Sequence, residues 1–405
     1  MKKRKTEISL FNALLAMIVV LIHLMSAPMA ELPPEVPLYK AFLAVWRLCS
    51  FVVQAFIFLS AVKTFLGGKS ENYGKFLFKR LRTVIVPYIA AVFIYYLYFV
   101  YIEEYFPFKW SDYLGYLVRG DMAAQFYFVI VIAEFYLLYP LWKHAAAKWR
   151  PAAVIIASAA VNIVLGAYSY YWLDKFFNGY VFTFGDRLFT TYIMYWTGGM
   201  YAGIYYDKFT KFITKYRPAL CAAFVLTAIV DVVTLYMQKY GRIPPLHLDM
   251  IHSLYCVSAI LFGMSLMYAA REKKIPGAAA ADRASYYVYL FHVLFIFWLD
   301  KVIMPIVISE TGLSSTTLTF AVRAVMTYIL CIALIAVNQI IYLIRSKLKN
   351  ARSRKTAGRK YGVFEPPYFG AFRIPRDSAA CRRGAPQNED AYRLRSRRCF
   401  LPRYR

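Results

Sequence analysis

Ten runs of apolar residues, each long enough to cross a hydrocarbon core of about 30 Å as a helix, govern what this chain can fold into. They fall at about 8–28, 41–65, 84–106, 123–143, 152–173, 184–206, 218–238, 250–270, 285–308 and 318–344. Among 405 residues 60% are hydrophobic and 18% charged, which excludes an ordinary soluble domain, where about a quarter are charged and apolar positions alternate with polar ones. Only the short basic stretch Lys2 to Lys5 precedes the first run, so a cleaved signal peptide competes there. The length of the run and the charge pattern after it favour a retained helix. The expected fold is an all-α integral membrane protein, a bundle of about ten transmembrane helices.

Charge predicts the orientation. The N-terminus and the connections after runs 2, 4, 6 and 8, together with the adjoining run ends, carry 21 Lys and Arg, including Lys75, Lys79, Lys208 and Arg217, whereas the opposite connections and run ends carry 8. An excess of basic residues marks the cytoplasmic side, which places both termini there. The net charge of +27 divides between a body, residues 1–344, with 31 basic and 18 acidic residues, and a tail, residues 345–405, with 18 and 4. In the body the surplus lies mostly between apolar runs, as topology signals do, so nucleic acid is not an expected partner. The tail is Arg-rich, lacks apolar periodicity and reads as a disordered cytoplasmic segment drawn to anionic lipid. The external segments 102–122 and 238–249 combine acids with aromatics (Glu103, Glu104, Trp110, Asp112; Tyr240, His247, Asp249), which suits either a partly ordered lid or an interfacial aromatic belt. Cys49, Cys221, Cys256, Cys331, Cys381 and Cys399 show no CxxC or CxxH spacing, so neither a zinc site nor a disulfide framework is expected.

Ionisable groups inside membrane helices are costly, which makes each a candidate site. His23 lies about 22 Å along the first run, and imidazole is suited to take a proton from a hydroxyl near neutral pH. His292 sits about 10 Å into the ninth run, where bonding to a helix partner and catalysis are both open. Glu134 is at mid-membrane in the fourth run and Arg47 in the outer third of the second, so the two could neutralise each other. Asp231 and Arg323 are weaker candidates, Arg323 being near enough to the surface to snorkel. Arg80 and Arg82 stand at the cytoplasmic end of the third run, where guanidinium groups could hold phosphates or simply fix topology.

Several segments together resemble the acyltransferase family 3 membrane proteins, over about residues 5–340. KTEISLFNALLAMIVVLIH resembles the family's first helix, which ends in its essential histidine, here His23. FVVQAFIFLSA is similar to the second-helix segment ending in Ser-Gly, with Ser60 kept and Ala61 for Gly, and FLFKRLRTVIVPYI to the basic stretch before Pro-Tyr, here Pro87 and Tyr88. AQFYFVIVIAEFYLLYPL resembles the Trp-Phe-Leu…Tyr-Leu-Leu-x-Pro helix, with Tyr127 for Trp and with Phe128, Tyr136 and Pro140 retained. YWTGGMYAG is similar to the family's Tyr-Phe-x-x-Gly segment, and SYYVYLFH to its Ser-Tyr-Gly-Ile-Tyr-Leu-x-His signature. Two positions depart from the pattern. The family's Arg eleven residues before the histidine is Asn12 here, and its second basic residue, three after Arg80, is Thr83.

The resemblance implies transfer of an acyl group, most often acetyl, from cytoplasmic acyl-CoA to a hydroxyl of an envelope polysaccharide or lipid-linked glycan, in a bacterial plasma membrane. Acyl-CoA would serve as donor substrate, and no bound cofactor is expected. His23, Glu134 and His292 are then the expected catalytic positions, with Arg80, Arg82 and Asn12 toward the donor. Two other readings compete: a transporter or flippase of a glycan intermediate, with the buried charges lining a pathway, and a lapsed member acting as a scaffold. No inverted repeat of the kind many transporters show is evident.

Overall fold

Prolines mark where the helices begin. In the computed structural model, which describes residues 5–66, 72–167, 185–242, 248–312 and 315–360, six helices carry Pro at their first or second position. Pro has a fixed φ and no N–H to lose there, so it starts a helix at no cost. The chain divides into two units, Met1–Leu348 and Lys349–Arg405, and the first is described below.

Its helices are α1 (Thr6–Leu24), with a short helix Ser26–Glu31 directly after it, α2 (Pro37–Cys49), α3 (Val52–Phe65), α4 (Tyr73–Arg80) and α5 (Val86–Tyr101). There follow α6 (Trp110–Arg119), α7 (Tyr127–Leu137), α8 (Tyr139–Lys148) and α9 (Pro151–Val161). The rest are α10 (Ile193–Ile204), α11 (Tyr206–Lys215), α12 (Arg217–Lys239), α13 (Leu248–Ala269), α14 (Ala278–Trp298), α15 (Met304–Thr311) and α16 (Thr316–Lys360). Among the described residues all regular structure is helical.

Among the described residues, seven helical spans are long and apolar enough to cross a membrane, and they coincide with the runs beginning at 8, 41, 84, 218, 250, 285 and 318. The run at 123–143 is a broken pair: α7 and α8 meet at 54°, and counting them as one span makes eight. Pro140 explains the break, since it has no N–H to donate back into α7 and its ring crowds the preceding turn, so it starts α8 rather than continuing α7. Trp142 Nε1 donates to the Phe135 carbonyl at 3.0 Å, and Tyr73 Oη to the Leu137 carbonyl at 2.8 Å, so carbonyls at the break are satisfied by side chains. The runs at 152–173 and 184–206 lie partly outside the described residues, as do His247, Cys381, Cys399 and the tail beyond Lys360. The last helix passes the expected boundary at 344 and continues to Lys360.

Segment 102–122 is an ordered cap. Tyr96 Oη donates to the Lys109 carbonyl and accepts from its N–H, both at 2.8 Å, and Glu103 pairs with Lys301 at 3.2 Å. Trp110 stacks on Phe93 with ring centroids 6.2 Å apart while staying largely exposed.

The closest helix contact is between α3 and α10. A Cβ on Gly199 would sit 2.3 Å from the Phe58 carbonyl oxygen, and one on Gly203 2.8 Å from that of Val62. Ala61, where the resembling family has Gly, lies in the same seam. Gly199→Ala forces two backbones apart and is expected to lower stability by about 1–3 kcal/mol, read as an earlier thermal transition of the solubilised protein. An unchanged transition would mean that the seam has slack.

Candidate functional site

Helix α1 positions the site. Lys5, Ile8, Ser9 and Asn12 recur at helical spacing and line one side of a cavity of about 1010 Å³. The opposite walls come from α3 (Phe56, Ser60, Lys63), the α4 segment (Arg80, Thr83), α7 (Phe128, Ile132, Tyr136) and α14 (Asp282, Ser285, Tyr286, Tyr289). The cavity extends to the end of the bundle where α1 and α14 both begin, and the lining residues Lys5, Lys208 and Arg283 place positive charge there.

A buried polar network ties three helices across this space. Asn12 Nδ2 donates to Asp282 Oδ1 at 2.8 Å and to Ser285 Oγ at 2.6 Å. Lys63 Nζ donates to Asn12 Oδ1 at 2.9 Å. An amide at position 12 can donate and accept at once, which is how it links a cation on α3 to a carboxylate on α14. The positive charge absent from position 12 is thus supplied next to it by Lys63.

Arg80 also faces the cavity. Its Nη2 donates to Thr64 Oγ1 at 3.1 Å, and its guanidinium lies over the Tyr136 ring at 4.7 Å and the Phe76 ring at 5.2 Å. Its Nε is buried with no hydrogen-bond partner, leaving one donor for a ligand. Arg82 is exposed and is not among the lining residues. Residues two apart on a helix do not share a face, and the π-helical turn Leu81–Ile85 brings Thr83 rather than Arg82 round to Arg80.

The two candidate histidines meet. α1 and α14 run side by side in the same direction, so Asn12 faces Asp282 and Ser285 while His23, eleven residues and about 16 Å further on, faces His292. The ring centroids are 5.0 Å apart with a 55° tilt. His292 Nδ1 bonds the Val288 carbonyl at 2.9 Å. Tyr289, which lines the cavity, has its ring centroid 6.3 Å from that of His292. The cavity therefore approaches within one aromatic ring of the histidine pair.

Glu134 stands elsewhere. Its Oε2 accepts from the Phe189 N–H at 2.7 Å, at the first residue of the short 3-10 helix Phe189–Tyr192. A carboxylate there satisfies a donor that the helix start leaves unpaired, which is a capping arrangement. The expected pairing of Glu134 with Arg47 is not formed. Arg47 instead bonds Asp231, with Nε 3.1 Å from both carboxylate oxygens and Nη2 3.0 Å from Oδ1. Asp231 Oδ2 in turn bonds His252 Nδ1 at 2.8 Å, and His252 Nε2 lies 3.1 Å from Ser50 Oγ. This chain joins α2, α12 and α13 and its Asp231 is fully buried. Arg323 does not snorkel: its Nε bonds Asp300 Oδ1 at 2.6 Å.

Sequence reasoning missed Lys63, Asp282 and His252, and although Ser285 and Tyr289 lie within the SYYVYLFH signature, only its His292 was singled out as a site residue. Lys63 and Asp282 sit near the ends of apolar runs, where charges read as topology signals. Only the spacing of Lys63 from Ser60, one turn apart on α3, hinted at a shared face.

A family model described as an acyltransferase domain, Acyl_transf_3, matches residues 6–336. A Bacillus subtilis (strain 168) protein bearing the name "Putative membrane-bound acyltransferase YfiQ" is 25% identical over 307 residues, spanning 71% of this chain and 80% of its own length. No solved structure matches the chain. The match covers α1 with its histidine, the cavity walls and α14, so the helical body built around the His23–His292 pair belongs to acyltransferase family 3, whose multi-pass members are membrane acyltransferases.

Proposed function

We propose that the protein transfers an acetyl group from cytoplasmic acyl-CoA to a hydroxyl of an envelope polysaccharide or lipid-linked glycan, in a bacterial plasma membrane that it crosses ten times with both termini cytoplasmic. The observation that carries this reading is the cavity lined by Lys63 and Arg80, one of whose walls, Tyr289, stands beside two facing histidines. An elongated donor with an anionic head and a reactive thioester at the far end of a flexible arm matches that layout. Arg80 and Lys63 take the anionic or polar groups of the donor, and Asn12 holds Lys63 in place. His23 removes the proton of the acceptor hydroxyl as its oxygen attacks the acyl carbon. The carbon–sulfur bond then breaks, and the thiolate takes that proton from His23. Membrane lipid surrounds the body, and Glu134 acts by holding the Phe189 segment rather than by proton transfer.

The test is transfer of labelled acetyl from acetyl-CoA to membrane-associated glycan, in vesicles with and without the protein. Label that depends on the protein supports the reading. Glycan that changes sides of the membrane without gaining label would replace it with transport. In the same assay Lys63→Met is expected to raise the donor KM about tenfold or more, since a charge-assisted hydrogen bond is worth about 1.5–3 kcal/mol. An unchanged KM would remove Lys63 from the donor site.

A further inference from the structure

The two histidines differ in a way that assigns them different tasks. His292 is completely buried, whereas His23 keeps part of its surface exposed. His292 Nδ1 lies 2.9 Å from the Val288 carbonyl, and a carbonyl only accepts, so Nδ1 carries the proton. A neutral imidazole protonated at Nδ1 has a lone pair at Nε2. That Nε2 is buried with no hydrogen-bond partner in the structure, and the ring beside it is His23 at 5.0 Å between centroids. An acceptor buried without a donor is costly, and the neighbouring His23 imidazole carries an N–H that can serve as that donor.

We infer that His292 is a positioning residue: its Nε2 accepts the N–H of His23, fixing the His23 tautomer and leaving the other His23 nitrogen bare toward the acceptor hydroxyl. This rests on the reading above, in which His23 is the base. The arrangement has the logic of a carboxylate that orients a catalytic histidine, with a neutral imidazole in its place. Within a membrane the substitution has a physical reason, because a buried carboxylate would carry a large desolvation cost and a neutral acceptor does not. When the acceptor hydroxyl loses its proton to the bare nitrogen of His23, the original N–H stays bonded to His292. That bond strengthens as His23 becomes cationic, and the proton taken from the hydroxyl leaves with the thiolate as the carbon–sulfur bond breaks. The network of Asn12 with Asp282 and Ser285 sets the register of α1 against α14 that keeps the rings opposed.

Two measurements on the full chain in lipid nanodiscs test this. With 15N-labelled histidine, the nitrogen shifts of His23 are expected to report one tautomer in the wild type and a mixture in His292→Phe. Equal tautomer populations in the two proteins would overturn the inference, whether or not the protein transfers acyl groups. In labelled-acetyl transfer, His292→Phe is expected to lower kcat about 10²-fold with the donor KM unchanged. His292→Gln, whose side-chain oxygen falls near the place of Nε2 and accepts the same bond, is expected to recover part of that loss. Wild-type kcat in both variants would overturn the inference, and so would a Gln variant as impaired as the Phe variant in protein of matched abundance and thermal stability. Absence of transfer in the wild type would instead count against the acyltransfer chemistry proposed above, with the tautomer measurement still deciding the role of His292.

Discussion

Vesicles carrying His23→Ala at wild-type abundance are expected to transfer label from acetyl-CoA at a rate lower by about 10²–10⁴-fold, the range that a positioned general base contributes. The side chain lies on α1 against α14 and its inferred bond is the one to His292 Nε2, so the variant should insert and lose no more than about 1–3 kcal/mol of stability. Donor affinity should be little changed, because the cations of the cavity are about 16 Å away along α1. Transfer at the wild-type rate would dismiss His23 as the base. Loss of both transfer and folding would show that the imidazole is a packing element, and His23→Gln, which keeps the volume, separates these outcomes.

A second large effect is expected away from the cavity. Asp231→Ala deletes the carboxylate that receives three hydrogen bonds from Arg47 and one from His252. Removing one partner of a buried ion pair typically costs about 3–5 kcal/mol, because the remaining charge loses the compensation for its desolvation. The protein should then aggregate on extraction or melt well below the wild type, with the donor KM of any folded fraction unaltered. The double substitution Arg47→Met with Asp231→Leu removes both charges and is expected to recover much of the loss. A single variant as stable as the wild type would mean that the Arg47–Asp231–His252 chain contributes no net stability.

The helical class and most of the spans were legible because hydrophobic length is a one-dimensional property of the chain. The histidines were legible for a related reason: an imidazole within an apolar run is conspicuous whatever the neighbours are. Pairing was a different matter. Glu134 and Arg47 were matched by depth alone, and depth does not say which helices are neighbours; the true partner of Arg47 sits on α12, 184 residues away. Lys63 and Asp282 were passed over because a charge at the end of an apolar run has an ordinary explanation as a topology signal. Their joint contact with Asn12 is visible only once α1, α3 and α14 are side by side. The break between α7 and α8 was within reach of the sequence, since Pro140 was noted, but a window average smooths over a single residue.

The seam between α3 and α10 gives the cavity one close-packed wall. Where Gly199 and Gly203 press against the backbone at Phe58 and Val62 there is no side chain to rearrange, so the two helices are held at backbone distance. Phe56, Ser60 and Lys63 ride on that pair. The facing wall has irregular backbone instead, with Arg80 and Thr83 at the wide π-helical turn Leu81–Ile85 and Tyr136 in the broken α7–α8 pair. The cavity thus has one cation, Lys63, on a close-packed helix pair and another, Arg80, beside an irregular turn and tied back to α3 through Thr64.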